Sequence, residues 1–401
     1  MTARYAPIVT IMVAPPVPRN TLDDYTDAMA ATRRSFVADR TGVVLDHVGQ
    51  YSLDPATLPG NVENFVGVAQ VPIGVAGPLH IRGEHATGEY YVPLATTEGT
   101  LVASYNRGMR LLAQCGGVQT TIVHEAMQRA PVFLFDDARR ARDFGDWLRS
   151  NFVAIKAAAE ATTSVGQLHE IQQFPAGPNL YTRFNFTTGD AAGQNMTGKA
   201  TYAACEWIAR NYPDTARYIL SGSMDTDKKH SHVNQLLTRG RRVVAEATVP
   251  GELMREVLGV DPATMFRARQ VHMIGGYMAG TAYLGAHAAN ALAALFIATG
   301  QDVANVAESH TGFVYSQLLD NGDYYWSVTL PALIVGTYGG GTGLATQREC
   351  LEMLGCYGTG GANRFAEICA AVVLAGDLSL AGAVLAGDWV SSHDRLGRNR
   401  P

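Results

Sequence analysis

The stretch HMIGGYMAGTAYLGAHAANALAALFIATG, residues 272–300, contains no charged side chain and no proline, and its reading decides the fold. The nearest charges are Arg269 before it and Asp302 after it. As a single helix it would run about 43 Å at the usual rise per residue. A helix apolar all round either crosses a membrane or lies buried inside a large domain. His272, His287 and Asn290 each need a polar partner that hydrocarbon does not offer, so the stretch reads as the core helix of a soluble protein. Gly276, Ala279, Gly280, Ala286 and Ala289 let neighbouring helices approach closely. Gly300 stops the helix and leaves Asp302 at its mouth. A carboxylate beside a dry core has the surroundings in which catalytic groups are tuned.

The rest of the composition agrees with a globular chain. Its 401 residues, 47% hydrophobic and 17% charged, suffice for two or three lobes around a sizeable core. A net charge of −5 gives no basis for binding nucleic acid. Five cysteines without a CxxC pair read as free thiols in a reducing compartment. The N-terminal MTARYAPIVTIMVAPPVP holds an apolar run too short for a signal peptide, and no second stretch is taken as a span, so a cytoplasmic protein without membrane contact is expected. The eleven histidines form no HExxH-like pattern, and no metal site is expected.

Along the chain, TLDDYTDAMAATRRSFVADR (21–40) predicts an amphipathic helix with Thr21 as N-cap. VAQVPIGVAGPLHI and YYVPLA predict strands. The second runs into Thr96-Thr97-Glu98-Gly99 and a helix, which puts Glu98 where a helix dipole favours an ionised carboxylate. Taken alone, Glu98 reads first as a first-turn acid serving helix stability. VFLF predicts a short strand, DDARRARDFGDWLRSNFVAIKAAAEA one long exposed helix, and NLYTRFNF a half-buried strand. The turn Thr187-Thr-Gly-Asp190-Ala-Ala-Gly193-Gln-Asn195 then enters another helix, an arrangement suited to anions but unlike GxGxxG. The loop Ser221-Gly-Ser-Met-Asp-Thr-Asp227-Lys228-Lys229-His230 either is simply solvated or supplies a cation to a developing oxyanion. YYWSVTLPALIVGT predicts a strand, Gly339–Gly343 a close-approach loop, and ECLEMLGC and RFAEICAAVVLAGDLSLAGAVLAG two helices. The polar, basic tail is expected to be mobile.

Six of these stretches, in order, resemble 3-hydroxy-3-methylglutaryl-CoA reductase over nearly the whole chain. They are ENFVGVAQVPIGVAGPL (63–79), PLATTEGTLVASYNRG (93–108), TTGDAAGQNM (187–196), DTDKK (225–229), AHAANALAALFIATGQD (286–302) and VGTYGGGTGL (335–344), joined by Ser392-His393. The short helical N-terminal region and Glu63-Asn64 look like the soluble catalytic portion of the eukaryotic-type class I enzymes. The resemblance implies an α+β fold: a large domain round the long central buried helix, an inserted small ferredoxin-like domain for the cofactor, and a short helical N-terminal region. The implied boundaries are 1–67 for the helical region, 68–130 and 221–401 for the large substrate domain, and 131–220 for the small NADP(H) domain. Active sites shared in a homodimer or higher homo-oligomer are also implied.

The implied chemistry is a four-electron reduction of the hydroxymethylglutaryl-CoA thioester to mevalonate by two NADPH, with NADH as the alternative cofactor. Another acyl-CoA or carrier-bound thioester is the alternative substrate. Lys228 would stabilise each oxyanion, Asp302 would hold Lys228 charged and aimed, Glu98 would protonate the aldehyde oxygen, and His393 would protonate the departing thiolate. Arg129, Ser221, Asp227, Lys229, Gln270 and Asn290 fall at positions around the acyl group. Asn106, Arg107 and His287 fall at positions along CoA, and Asp190, Gly193 and Asn195 in the cofactor loop. The chain departs from the family at Gln270, where a lysine is usual, and at Thr163-Ser164-Val165, which lacks the arginine expected near a 2′-phosphate and leaves Arg398 of the tail to substitute.

Overall fold

The computed structural model describes residues 15–388 and Asp394; the expected site residues His393 and Arg398 lie outside the described residues. The chain divides into two compact units, 1–70 and 71–401. In the first, helix α1 spans Asp27–Thr41. Its cap is Thr26 rather than Thr21: Thr26 is extended (φ −132°) and its hydroxyl accepts from the Met29 N–H at 3.2 Å. The expected start is lost because Asn20 and Asp24 tie the preceding residues into local side-chain turns. Arg33, fully buried, spends its guanidinium on Asp24 and on the carbonyls of Pro18 and Phe65.

In the second unit, β1 (Ile73–Gly83) and β2 (Thr87–Ala95) form a hairpin, followed by α2 (Leu101–Gln114), β3 (Val118–Arg129) and β4 (Val132–Leu134). Next come α3 (Ala138–Ser150), α4 (Phe152–Glu160), β5 (Gln167–Ala176), β6 (Asn179–Thr187), α5 (Gln194–Asn211) and β7 (Arg217–Ile219). The chain continues through α6 (His232–Leu237), β8 (Gly240–Val249), α7 (Gly251–Leu258), α8 (Pro262–Ala279), α9 (Ala288–Thr299) and α10 (Val306–Ser309). It closes with β9 (Phe313–Leu318), β10 (Tyr324–Leu333), α11 (Ala345–Met353) and α12 (Ala362–Leu385).

The strands follow the order β7-β4-β6-β3-β8-β10-β9, with β1–β2 against β3 and β5 against β6. Strand β3 belongs to two sheets: Gln119–Ala126 pair with β8, and Met127–Arg129 pair with β6. Each sheet has its own apolar cluster. The larger gathers α2, α9, α12, β8 and β10; the smaller packs Phe133, Phe144, Ile155, Phe184, Phe186 and Ile208 under α3, α4 and α5. The long helix expected over DDARRARDFGDWLRSNFVAIKAAAEA is two, parted at Asn151, whose side-chain amide donates back to the Trp147 carbonyl at 2.9 Å.

The 272–300 stretch is not one helix. α8 ends at Gly280 (φ 70°), and α9 begins only after His287. The break has a cause on α12: the buried Asp377 carboxylate accepts from the Tyr283 hydroxyl and from the Ala286 and His287 amides at 3.0 and 2.7 Å, and this requires the segment to unwind. Val271, Ile274, Tyr277 and Met278 on α8 are exposed. The buried central helix is instead α12, 24 residues long. Contrary to the expectation that no second stretch qualifies as a span, α12 is long and apolar enough to cross a membrane, yet 78% of its most apolar window is buried inside the protein.

Two glycines let α2 and α12 meet backbone to backbone. A Cβ on Gly108 would lie 1.9 Å from the Ala375 carbonyl oxygen, and one on Gly376 would lie 2.2 Å from the Tyr105 ring. Gly108→Ala gains about 1 kcal/mol of helix propensity. The contact it must open is main chain, which cannot rotate away, and such overpacking typically costs about 1–3 kcal/mol. A net loss of stability is expected, read as a lower urea midpoint at unchanged m-value.

Candidate functional site

The loop between β7 and α6 carries the densest set of predicted residues. Lys228 Nζ lies 2.7 Å from Asp302 Oδ2, both side chains 43% exposed. The hydrogen bond that Lys228 donates to the Asp302 carboxylate raises its ammonium above the ordinary range, so it stays charged across the working pH range. Asp302 is itself fixed, since its Oδ1 accepts from the Ala304 N–H at 3.1 Å just past Gly300. Below the loop lies a buried ionic cluster. Arg239 Nη2 reaches Asp227 Oδ1 at 2.7 Å, and its Nε lies 3.0 Å from Glu308 Oε2. Gln194 adds a donor to Asp227 at 3.0 Å. Burial opposes ionisation of Asp227, but Arg239, Gln194 and Arg129 outweigh it and hold the carboxyl below its ordinary range. Burial pushes Glu308 up to about 7 against the pull of Arg239. Glu308 Oε1 also accepts the Lys228 backbone N–H at 2.9 Å. Ser223, Thr226 and Lys228 have positive φ (69°, 51° and 56°). Such left-handed conformations cost roughly 1–2 kcal/mol each outside glycine.

Beside this cluster, Arg129 at the end of β3 pairs with Asp225 at 3.0 Å, and the Ser221 hydroxyl donates to the same carboxylate at 3.1 Å. Lys229 is exposed and donates to the Asp227 carbonyl. Glu98 is elsewhere: its Oε2 accepts from Asn290 Nδ2 at 3.4 Å, across a cleft of about 300 Å³ lined by Thr96, Thr97, Leu101, Ala294 and Ile297. Asn290 stands in the first turn of α9 and Asp302 beyond its last, so the two groups of residues occupy opposite ends of that helix.

His287 caps α9 with its ring buried against α2: Nδ1 lies 2.7 Å from the Tyr105 hydroxyl, which itself donates to the His287 carbonyl at 2.8 Å. Gln270 is exposed on α8. Asn106 accepts from the Gly77 amide at 3.0 Å, and Arg107 is half-buried and bonded to Ser379 of α12, so both side chains hold elements together in this chain. Asp190 accepts from the Gly360 and Ala362 amides and so anchors the start of α12. Gly193 (φ 89°) opens α5, where a Cβ would strike Thr188 at 2.3 Å. Asn195 is exposed in the first turn of α5, and no side chain caps that helix.

Sequence reasoning missed Asp225, Arg239, Glu308 and Asp377. Asp225 was legible as the first acid of DTDKK; the others gain their meaning only from burial. Among the described residues, Glu84, His85 and Glu367 form the one grouping with metal-ligand spacing. Its buried carboxylate is spent on the Glu84, His85 and Ala86 amides, which accounts for it as a turn anchor.

Burial pushes the His287 imidazole down to about 4, so it is neutral near pH 7. Its folded value is depressed, so its contribution to stability is complete above the unfolded value near 6.5 and is lost as pH falls towards 4. Ring-nitrogen NMR shifts should stay those of a neutral imidazole down to pH 5. A midpoint near 6.5 would remove burial as the controlling influence.

A family model described as "Hydroxymethylglutaryl-coenzyme A reductase" matches residues 29–398. A 3-hydroxy-3-methylglutaryl-coenzyme A reductase of Pyrococcus abyssi is 44% identical over 375 residues, covering 91% of this chain and 92% of its own. One from Halobacterium salinarum is 42% identical over 386 residues, covering 94% and 95%. A class II 3-hydroxy-3-methylglutaryl-CoA reductase from Streptococcus pneumoniae, solved bound to NADPH in open conformations, shares the mixed α/β fold with a TM-score of 0.66 at 19% identity, over 82% of this chain and 79% of that one. With a family model spanning most of the sequence and relatives aligned nearly end to end, the chain belongs to the hydroxymethylglutaryl-coenzyme A reductase family.

Proposed function

We propose that the protein reduces the thioester of 3-hydroxy-3-methylglutaryl-CoA to the alcohol of mevalonate, releasing CoA, with NADPH as the hydride source. The observation that carries this reading is the Lys228–Asp302 pair at 2.7 Å, a charged ammonium held in place at a half-exposed position where a carbonyl oxygen can reach it. The uncapped amides at the start of α5 and the Gly193 turn, where a Cβ has no room, fit an anionic dinucleotide, with Asn195 beside them and Asp190 holding the loop. When bound there, the cofactor supplies hydride. The small sheet with α3, α4 and α5 is accordingly read as the ferredoxin-like cofactor domain.

The chain's own residues would then act in sequence. Lys228 compensates the negative charge that grows on the thioester oxygen and later on the aldehyde oxygen. Asp302 keeps the ammonium protonated and aimed. His393 donates the proton that the departing CoA thiolate requires, and Glu98 donates one to the aldehyde oxygen in the second reduction. By the family resemblance Arg129, Ser221, Asp227, Lys229 and Gln270, with Asn290 of a second subunit, would hold the acyl group. Asn106, Arg107 and His287 would flank CoA, the first two while also bonded to Gly77 and Ser379, and Arg398 would serve the 2′-phosphate. Turnover of hydroxymethylglutaryl-CoA, followed as NADPH oxidation, is the direct test. Lys228→Ala should slow it by at least about a hundredfold, the scale for losing one oxyanion donor, with NADPH binding little changed. Retention of most activity would remove Lys228 from the chemistry.

The proposed enzyme is a homodimer or higher homo-oligomer whose sites draw on two subunits. What supports this is the length of α9: from Asn290 to its C-terminus runs about 14 Å of helix. Glu98 and Lys228 of one chain therefore sit at its two ends, and a single carbonyl is served by both only if they come from different chains. Mixing inactive Glu98→Gln with inactive Lys228→Ala protein should restore part of the activity after subunit exchange. If exchange is demonstrated and no activity returns, the shared site is wrong.

A further inference from the structure

We propose that Glu308 is a positioning residue for Lys228, holding the lysine's main chain in the left-handed conformation from which its ammonium reaches Asp302. The inference rests on the proposed role of Lys228. The segment Asp302–Glu308 grips Lys228 at two points: Asp302 takes the side-chain ammonium at 2.7 Å, and Glu308 Oε1 takes the backbone N–H at 2.9 Å. The second grip is needed because Lys228 has φ 56°, a conformation its own side chain disfavours, and it follows Thr226 at φ 51°. Released from its acceptor, the loop has every reason to relax toward ordinary backbone angles, carrying the ammonium away from Asp302.

Glu308 is suited to the task. It is 1% exposed, and its other oxygen faces Arg239 Nε at 3.0 Å, so the carboxylate cannot swing away from the loop. Arg239, fully buried, is in turn tied to the Gln128 carbonyl at 3.0 Å and to Asp227, the residue before Lys228. Asn234, at the start of α6, donates to the Thr226 hydroxyl and lies 3.4 Å from Glu308 Oε2. The loop is thus fastened at Thr226, Asp227 and Lys228 to one buried frame. Glu308 touches neither reacting atom nor cofactor; it acts through Lys228.

The test compares Glu308→Gln with Glu308→Leu, assayed beside the parent protein for NADPH oxidation with hydroxymethylglutaryl-CoA. Both variants remove the carboxylate facing Arg239; only glutamine keeps an oxygen for the Lys228 N–H, and leucine should lose more thermal stability, so kcat is compared on folded protein. The expected result is kcat within about threefold of the parent for Glu308→Gln and at least about tenfold lower for Glu308→Leu, since misplacement by about 1 Å can cost a hundredfold. KM for both substrates should change by less than about threefold in either. Equal kcat for the two folded variants overturns the inference and leaves Glu308 a stabilising residue only. If Glu308→Leu does not fold, Glu308→Asp replaces it: the charge remains but the acceptor retracts, and an unchanged kcat overturns the inference equally. A parent protein without activity overturns the reading of function, and this inference with it.

Discussion

A carboxylate buried in a helix of alanine, valine and leucine must find donors, and the fold is arranged around where α12 finds them. Glu367 and Asp377 are both fully buried on that helix. Neither can use its own helix, whose amides are already bonded, so each reaches out to backbone N–H groups of another segment. Glu367 gathers the turn between β1 and β2; Asp377 gathers the connection between α8 and α9. Burial raises Asp377 to about 6 even with the Tyr283 hydroxyl and two amides bonded to it. Apolar packing supplies most of the burial energy, but these two side chains decide which segments α12 packs against and in which register.

That arrangement explains which parts of the molecule were legible in the sequence. Alternation and composition pointed to β1, β2, β4, β6 and β10 and helical spacing to most helices, but β3, β5, β7, β8 and β9 went unread. Lys228 and Asp302 stood out locally as a loop cation and a carboxylate past a helix end, whereas Asn290 was marked only by the family resemblance. The stretch 272–300 misled because apolarity was taken for burial. Its first third lies exposed on α8, and its middle is unwound by a carboxylate about ninety residues further on in the chain. α12 was recognised as a helix but not as the central one, because Glu367 and Asp377 look like surface charges until their partners are known.

The same limit applied to the site. Arg239 and Glu308 have no motif; each is an ordinary charged residue until both are removed from water and left to satisfy one another. Their pairing stabilises only if every remaining proton and lone pair is used, as the bonds from Arg239 to the Gln128 carbonyl and from the Lys228 amide to Glu308 nearly achieve. The positive φ values of Thr226 and Lys228 are similarly invisible beforehand, since neither residue type favours them. Strain and buried charge occur together here because rigid ionic frames are what hold an unfavourable backbone.

Strand β3 passes from one sheet to the other between Ala126 and Met127 without a linker. Two lobes joined through a loop can swing like a lid, but two joined through one strand can bend only where that strand exchanges partners, between Ala126 and Met127. On the reading proposed here, an oxidised cofactor must leave and a reduced one enter between two hydride transfers while the half-reduced substrate stays bound. With the lobes coupled so closely through β3, that exchange would fall chiefly to the loops bordering the sheets. Turnover would then be timed by the rearrangement of a few loop residues and of the short stretch of β3 where the partners change.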